Sequence, residues 1–373
     1  MTAPGAPVTF GLAQPAEEPQ LRRVLRDNPM AGAVSVAFQR EPDFFAAATI
    51  EGPVHQCVVA RTEAGEVVGL CSRSVRPVWL NGEIQEVGYL SMLRLDAAWR
   101  GRPRMLKGGF EAVHRLHEAD KRTAFAFTTI IEDNHTARRI LERGLPGFPT
   151  YHPREVMVTL AMPTWRRRRA PRVPGVDLRQ ATAAELPDLA DCLGRNLRRT
   201  NLAPAWTAED LADPALCRGL APGDFTVALR GGRVVGCVAL WDQQGFKQSV
   251  VAGYEGGLGR FRGVVNAAAP WVGVPRLPAP GEPLRHAFLS HLAADEDALL
   301  PALLVAAYNR SLSGGYAYLT TMLAERHPMT APLKRRFGAI EYRSVLYLVC
   351  WPDGADAVAA VDDRLPQPEV AVL

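Results

Sequence analysis

Hydrophobic and polar positions along the chain follow two periods that predict alternating strands and helices. In the first half of the sequence, alternation with a period of two predicts strands and one hairpin, at 8–12, 56–75, 85–95, 123–130 and 155–162. Apolar residues three or four positions apart predict helices at 17–26, 104–120 and 134–143, with further helix up to residue 47. This pattern indicates an α+β fold with a mainly antiparallel sheet and one βαβ-like passage in its middle.

The same order of elements occurs a second time. The runs "CVVARTEAGEVVGLCSRSV" (57–75) and "FTVALRGGRVVGCVALW" (225–241) each predict two strands around a tight turn. The runs "FAFTTIIEDNHTARRILERG" (125–144) and "AYLTTMLAERHPMTAPLKRRFG" (317–338) each predict a strand that ends in Thr-Thr and a basic helix. We therefore expect a duplicated domain, with each copy a mixed, mainly antiparallel sheet flanked by helices.

Two segments of unusual composition set the expected domain boundaries. Residues 164–175 are rich in Pro and Arg without an apolar period, which is typical of an exposed, solvated linker. The first domain is then 1–163, the second is 176–352, and 353–373 form a tail. The second copy also carries a Gly- and Pro-rich insert at 245–283, which we interpret as a functional or mobile loop.

Composition narrows the class of protein. With 47% hydrophobic and 22% charged residues, the 373-residue chain can bury a globular core. No apolar run approaches the roughly 20 residues of a membrane span, and the N-terminus lacks the pattern of a secretory signal, so we expect a cytoplasmic protein without a membrane partner. The net charge of +4 favours an anionic ligand but does not indicate nucleic acid. Nothing in the composition specifies an oligomeric state.

Cysteines and histidines predict no metal site. The six cysteines stand singly, and the eight histidines show no ligand spacing of the HExxH kind. His114 and His117 are three residues apart on a predicted helix, but the sequence shows no third ligand beside them.

The stretch "LRLDAAWRGRPRM" (93–105) predicts an anion site. A strand ends, a turn with Gly101 follows, and a helix begins near Pro103, which suits a first helical turn. Backbone N–H groups and the positive end of the helix dipole converge at such a junction, and Arg100, Arg102 and Arg104 add charge. We expect a phosphate or pyrophosphate there, although a basic helix start without a ligand would have the same sequence.

These residues resemble the GCN5-related N-acetyltransferase family, whose pyrophosphate loop has the form R/Q-x-x-G-x-G/A. Arg100 takes its first position, but Pro103 and Met105 stand where small residues are usual. "DNHTARRILERG" also matches the family's N-x-x-A helix start through Asn134 and Ala137. The resemblance implies acetyl-CoA as co-substrate, held by the residues of the preceding strand, the loop and the next helix: Leu93, Arg94, Leu95, Arg100, Gly101, Arg102, Pro103, Arg104, Met105 and Asn134.

The resemblance also implies two tandem copies of the family's fold and N-acetyl transfer to a primary amine of a small molecule or peptide. The tyrosine that often serves as the acid is absent, because its position is Leu141. We take Tyr151 as the candidate acid, with Tyr89 as a second choice. For the base we take Glu86, ahead of Glu132.

The second copy is predicted not to bind CoA. Its strand end is followed by an acidic loop, Asp295–Asp297, which would repel a pyrophosphate, and the asparagine of the next helix is missing. Two other functions stay open from the sequence. One is a non-catalytic CoA-binding or regulatory protein, and the other is an aminoacyl- or peptidyl-type transferase on the same doubled fold.

Overall fold

The computed structural model describes residues 7–30, 32, 34–272 and 275–373. The first half, which ends at residue 163, contains seven strands and four helices. In chain order they are β1 (Val8–Leu12), α1 (Glu18–Asp27), β2 (Val34–Gln39), α2 (Ala48–Glu51), β3 (Val54–Thr62), β4 (Val67–Leu80), β5 (Glu83–Leu95), α3 (Pro103–Asp120), β6 (Ala126–Ile131), α4 (His135–Leu141) and β7 (Thr150–Pro163).

The second half begins after residue 175 and is followed by the tail, residues 353–373. Its elements are β8 (Asp177–Gln180), α5 (Leu186–Leu197), β9 (Ala203–Pro204), α6 (Ala208–Ala212), β10 (Phe225–Arg230), β11 (Arg233–Trp241), β12 (Gln248–Tyr254), α7 (Gly257–Arg260), α8 (Arg262–Val272), β13 (His286–Ala294), α9 (Leu300–Ser311), β14 (Tyr318–Ala324), α10 (Thr330–Phe337) and β15 (Ile340–Cys350), with α11 (Ala355–Ala359) in the tail.

One mixed, mainly antiparallel sheet runs through both halves. Its strand order is β1-β3-β4-β5-β6-β15-β7-β14-β13-β11-β10-β8, with β9 paired to β4. The fold class predicted from the sequence is confirmed. Whether residues 1–163 and 176–352 are separate domains stays a prediction, because their strands share this sheet.

The two halves exchange their last strands. β15 from the second half lies between β6 and β7, and it pairs along Ile340–Cys350 with β7. β7 in turn pairs with β14 through Tyr318–Pro163 to Ala324–Met157. Each half therefore needs the other to complete its sheet.

Three segments that differ from the sequence expectation are ordered by partners distant along the chain. The stretch before residue 47, expected as further helix, contains β2, which pairs with β12 of the insert along Gln39–Gln248 to Val34–Tyr254. The insert thus supplies a strand and two helices rather than a structureless loop. The Pro/Arg-rich linker is partly fixed as well, since Arg168 donates to the carbonyls of Arg336 and Phe337.

The core follows the two faces of the sheet. One cluster under α9 and α10 contains Leu303, Tyr308 and Phe337. Another joins both halves through Tyr89, Phe127 and Leu346. Within the described residues, no helix is both long and apolar enough to span a bilayer.

Candidate functional site

The sheet of the first half opens where β5 and β6 part. The two strands pair in parallel at Gly88–Ala126 and Tyr89–Phe127. Beyond that point, residues 90–95 pair with β4 and residues 128–131 pair with β15. The Thr128 hydroxyl donates to the Leu90 carbonyl across 2.7 Å at the start of the opening. We call this opening between β5 and β6 the first split. It begins where the pairing of the two strands stops, after Tyr89 and Phe127.

A β-bulge lies beside the first split. Ser91 pairs with Ser72 and Arg94 with Leu70, so Met92 and Leu93 together face one residue of β4. Met92 has a positive φ of 53°, which redirects the backbone. The side chain of Leu93 is 41% exposed. A bulge of this kind releases backbone N–H groups from the ladder, and these groups can then polarise a carbonyl in the slot.

The N-terminus of α3 follows the bulge strand directly. Gly101 has a φ of +73°, a conformation that favours glycine, and a Cβ atom there would meet nothing within 4 Å among the described residues. Pro103 is the first helical residue, as predicted. The turn therefore leaves open space in front of the helix end, where unpaired N–H groups and the dipole favour an anion.

The arginines of this turn differ in what they contact. Arg100 donates to the Leu95 carbonyl across 3.0 Å and to the Asn28 side chain, so it ties the turn together. Arg102 lies over the Trp99 ring at 5.2 Å. Arg104 is exposed. Among the three, Arg104 therefore has the most freedom to meet a phosphate.

Met105 does not crowd the turn. Its side chain is 2% exposed and packs against Trp99 and Val68, on the inner face of α3. The position that seemed too bulky from the sequence is thus an ordinary core position, because a residue of the first turn can face the sheet.

The neighbouring helix α4 carries the N-x-x-A asparagine. Asn134 is exposed and caps α4 by accepting from the Ala137 N–H across 3.2 Å. Leu141, at the usual tyrosine position, is buried with Phe110 and Tyr151. No hydroxyl therefore comes from that position of α4.

Each candidate acid or base from the sequence is either ion-paired or buried. Glu86 is near the opposite end of β5 and pairs with Arg122 at 2.8 Å. Glu132 pairs with Arg343 at 2.5 Å, and this contact lowers the pKa of its carboxyl. Tyr151 packs edge-on against Tyr347 under α3, and burial raises its pKa. Tyr89 lies at the branch of the two strands and is also buried, which raises its pKa.

Sequence reasoning missed a buried charged group beside the bulge. Glu51, at the end of α2, is 1% exposed and forms an ion pair with Arg40. Its Oε2 accepts from the Ser74 hydroxyl at 3.1 Å and from the Ser91 hydroxyl at 3.3 Å. His55 lies 3.7 Å from the same oxygen. Because Ser91 precedes Met92, this carboxylate is hydrogen-bonded to the strand at the bulge.

The group is electrostatically unusual. Burial is the largest single influence and would raise the pKa of Glu51, but Arg40, His55, Lys247 and the Ser74 hydrogen bond together hold the pKa below its ordinary value. Burial lowers the pKa of His55 to about 4. Burial also lowers the pKa of Lys247, on the insert, to about 8, against the attraction of Glu51. Perturbed groups in one place are typical of functional sites. No motif in the sequence marks Glu51, so only the fold reveals it.

The second half contains the corresponding split between β13 and β14. These strands pair in parallel from His286–Tyr318 to Phe288–Thr320, and His291 and Leu292 form a bulge opposite β11. His291 has a φ of 51°, close to that of Met92. Both halves therefore contain a bulge with a residue of positive φ in the strand that precedes a helix.

The tail fills this second split. Residues Val370–Val372 pack against both β13 and β14. The His291 N–H donates to the Glu369 carboxylate across 2.7 Å, and Gln243 donates to the Ala371 carbonyl across 2.9 Å. Burial raises the pKa of Glu369 to about 7. The N–H of the bulge residue His291 is thus bonded within the protein.

Comparisons with known proteins rest on structure alone. No known protein-family profile matches the sequence. No curated protein matches it either. A GCN5-related N-acetyltransferase from Sphaerobacter thermophilus matches with a TM-score of 0.56 at 14% identity, over 92% of this chain and 96% of the other.

Two further structures are similar over the same length. Saccharomyces cerevisiae N-myristoyltransferase with bound myristoyl-CoA has a TM-score of 0.60 at 12% identity, over 93% of this chain and 86% of the other. A probable N-acyltransferase from Enterococcus faecalis has a TM-score of 0.52 at 10% identity, over 92% and 72%. Together with the split sheet, the bulge and the helix that follows, these matches show that the chain has the fold of the GCN5-related N-acetyltransferases.

Proposed function

We propose that the protein is an acyl-CoA-dependent N-acyltransferase that transfers an acetyl group from acetyl-CoA to a primary amine of a small molecule or peptide. The observation that carries this proposal is the first split with its bulge at Met92, open beside the N-terminus of α3. A slot for an extended thioester arm and an anion site at its end are the two features that a CoA thioester needs.

Acetyl-CoA supplies the activated acyl group when bound. The backbone N–H groups of the turn from Gly101 into α3, with Arg104 beside them, hold the diphosphate. The edge of β5 at Leu93–Leu95 pairs with the amide groups of the arm in the manner of an added strand. Asn134 lies at the start of α4 on the far side of the split. The sequence candidates Arg100, Arg102 and Met105 support the turn from within.

The bulge and the buried charged group serve the transfer itself. In this reaction a C–N bond forms, the C–S bond breaks, the amine loses a proton and the thiolate gains one. N–H groups at Met92 and Leu93 polarise the thioester carbonyl. Glu51 is a positioning residue, because it accepts a hydrogen bond from Ser91 and so holds the strand beside the bulge. Its geometry favours it over Glu86, which lies toward the other end of β5.

We infer that the second half does not bind CoA. Its bulge N–H is bonded to Glu369, its split holds the tail, and the loop before α9 is acidic, with Asp295 bonded to Arg195 at 2.8 Å. The second half instead supplies β15 to the first sheet and Lys247 to the charged group.

A second candidate is a CoA-binding protein without catalysis. The observation that favours it is Leu141, buried where the family often has a tyrosine, together with the burial of Tyr151. Such a protein would bind CoA in the same split and would release no thiol.

Two measurements test the proposal. Calorimetry with CoA should give one site per chain. Absence of binding would contradict both the acyltransferase and the non-catalytic CoA-binding protein. Thiol release from acetyl-CoA with a panel of amines should exceed release without an amine, and CoA binding without that excess would support the non-catalytic candidate.

Two further tests address the donor and the alternative transferase. Repeating the assay with longer acyl-CoA donors tests whether acetyl is the acyl group that is transferred. Binding of tRNA in place of CoA would support an aminoacyl-type transferase.

A further inference from the structure

A cluster of histidines and carboxylates lies at the end of α3 that is distant from the CoA turn. His117 is in the last turn of this helix and is 5% exposed, and its Nε2 lies 3.2 Å from Oδ2 of Asp353. Asp353 belongs to the tail, just after β15. Ligand atoms of His117, Glu118 and Asp353 all lie within 4.8 Å of one another. Residues 236 positions apart are thus brought to one point by the exchange of strands.

A fourth side chain joins this cluster. His114 is one turn before Glu118 on α3, and its Nε2 lies 3.4 Å from a carboxylate oxygen of Glu118. The three residues within mutual reach, His117, Glu118 and Asp353, offer one imidazole nitrogen and two carboxylates, and His114 lies beside Glu118. Imidazole nitrogen with carboxylate oxygen is a ligand set that suits Zn²⁺.

The rings of both histidines are held in place. His114 stacks on Trp351 at 4.7 Å with an interplanar angle of 12°, and His117 stacks on the same ring at 5.3 Å and 26°. A fixed ring orientation is what a metal site needs from its histidines, because the cost of ordering them is met before the metal arrives.

The distances fit a tetrahedral ion. With ligands at about 2.1 Å, neighbouring donor atoms of a tetrahedral zinc site are about 3.4 Å apart. The His117–Asp353 pair already has a separation of 3.2 Å. The other separations among His117, Glu118 and Asp353, all within 4.8 Å, can shorten by rotation of the two carboxylates, since the side chains of Glu118 and Asp353 are 50% and 55% exposed.

The position in the helix also favours a cation. The last carbonyls of α3 point toward its C-terminal end, where the helix dipole is negative. Helix α3 ends with Lys121 in a left-handed conformation, and the Lys121 N–H caps the His117 carbonyl. A divalent ion at His117 therefore sits in a favourable field at the end opposite to the one that attracts phosphate.

We propose that His117, Glu118 and Asp353 bind one Zn²⁺ ion that fastens the tail to α3, with water as the fourth ligand and His114 beside Glu118. The sequence predicted no metal because Asp353 is far from the histidines along the chain. The ion is structural: it joins the helix of the first half to the segment that follows the exchanged strand β15. It does not take part in acyl transfer.

Calorimetry with Zn²⁺ alone, on full-length protein first stripped with a chelator, tests this site. We expect one ion per chain, and we expect Asp353→Asn and Glu118→Gln each to weaken binding at least about tenfold, since both remove a ligand. Both side chains are exposed, so these variants should fold. Matched controls are Glu111→Gln, two turns earlier on α3, and Asp356→Asn on α11, both exposed; they should bind Zn²⁺ as the wild type does.

Two further readouts make the outcome decisive. Zn²⁺ should raise the thermal midpoint of the wild type by a few degrees and leave Asp353→Asn unchanged. Co²⁺ in the site should show the strong visible absorption of four-coordinate cobalt. Absence of saturable binding, or equal loss of binding in variants and controls, would mean that the cluster holds ion pairs only and would overturn the proposal. Because the readout is metal binding, it is independent of whether the protein transfers acyl groups.

Discussion

The first split and the second split have nearly the same backbone and opposite contents. In both, a parallel pair of strands parts, a bulge with a residue of positive φ follows, and a helix begins after the next turn. At Met92 the bulge borders an open slot, whereas at His291 the N–H is bonded to Glu369 of the tail. We therefore expect CoA binding to depend on what occupies each split, because the shared fold alone does not determine it.

The surroundings of the two bulges differ in polarity as well. His291 is fully buried against Trp206, at 4.4 Å between ring centres, and burial lowers its pKa to about 3, so it is neutral. Ser91, beside Met92, is hydrogen-bonded to a buried ion pair. The His291 bulge is packed among aromatic rings with its N–H bonded to Glu369, whereas the Met92 bulge lies beside the Glu51–Arg40 ion pair.

The largest effect is expected from Glu51→Gln. Loss of the charge leaves Arg40 unbalanced and loosens Ser91, and a displacement of about 1 Å at a reacting group can cost about 100-fold. We expect kcat to fall about 10- to 100-fold, with CoA affinity unchanged, because the diphosphate site is elsewhere. Steady-state kinetics of thiol release with calorimetry would measure both, and Glu51→Asp should recover part of the activity.

Glu86→Gln is the matched comparison, since Glu86 lies in β5 itself, toward the end opposite the bulge. Its pair with Arg122 is exposed, and such pairs contribute about 0–1 kcal/mol. We expect kcat within about twofold of the wild type. A large loss in Glu86→Gln with little change in Glu51→Gln would contradict the positioning role of Glu51 and support Glu86 as the base, as the sequence favoured.

The next effect concerns the turn before α3. Gly101→Val places a β-branched residue at a φ of +73° and puts a side chain into the space assigned to the diphosphate. We expect KM for acetyl-CoA to rise about tenfold or more. Gly232→Val is the control, because Gly232 has a φ of +81° with equally open space in the hairpin of the second half. Equal changes in KM would mean that strain, rather than the site, is responsible.

The contribution of Glu369, in the tail that fills the second split, to the free energy of unfolding should depend on pH. The folded pKa of Glu369 is about 7 against an ordinary value of 4.5. Its contribution to stability is therefore present below about pH 4.5 and is lost as the pH rises through 7. Glu369→Gln removes this loss, so at pH 8 the variant should exceed the wild type by on the order of 1–3 kcal/mol, and at pH 5 by much less.

Urea unfolding at the two pH values measures this difference. Asp363→Asn, at a fully exposed position of the same tail, should show the wild-type pH dependence. A difference between wild type and Glu369→Gln that is the same at pH 5 and pH 8 would show that the carboxylate is not buried.

Local patterns predicted much of this architecture, and distant pairing set the rest. The strand at Val8–Leu12, the start of α3 at Pro103 and the repeat of elements follow from periodicity and from proline and glycine. Strand β2 was expected as helix because its partner, β12, is about two hundred residues away, and short-range propensity cannot report such a partner. The exchange of β7 and β15 has the same cause.

The candidate site divides in the same way. The turn at Gly101–Arg104 has a sequence pattern because a helix start is local. Glu51 has none, since its importance comes from burial against Arg40 and Ser91, which lie 11 and 40 residues away. Asp353, the partner of His117, could not be predicted for the same reason, because it lies 236 residues away in the tail.

The smallest effect tests the proline that separates this turn from the usual loop. Pro103→Ala restores one backbone N–H at the start of α3, and one hydrogen bond is worth about 0.5–1.5 kcal/mol. We expect CoA to bind about two- to tenfold more tightly, as measured by calorimetry. Pro301→Ala, in the first turn of α9, is the counterpart in the second half and should leave CoA affinity unchanged. If Pro103→Ala also leaves it unchanged, the diphosphate does not use that N–H. If Pro301→Ala alone strengthens binding, then the second split is the one that opens to the cofactor.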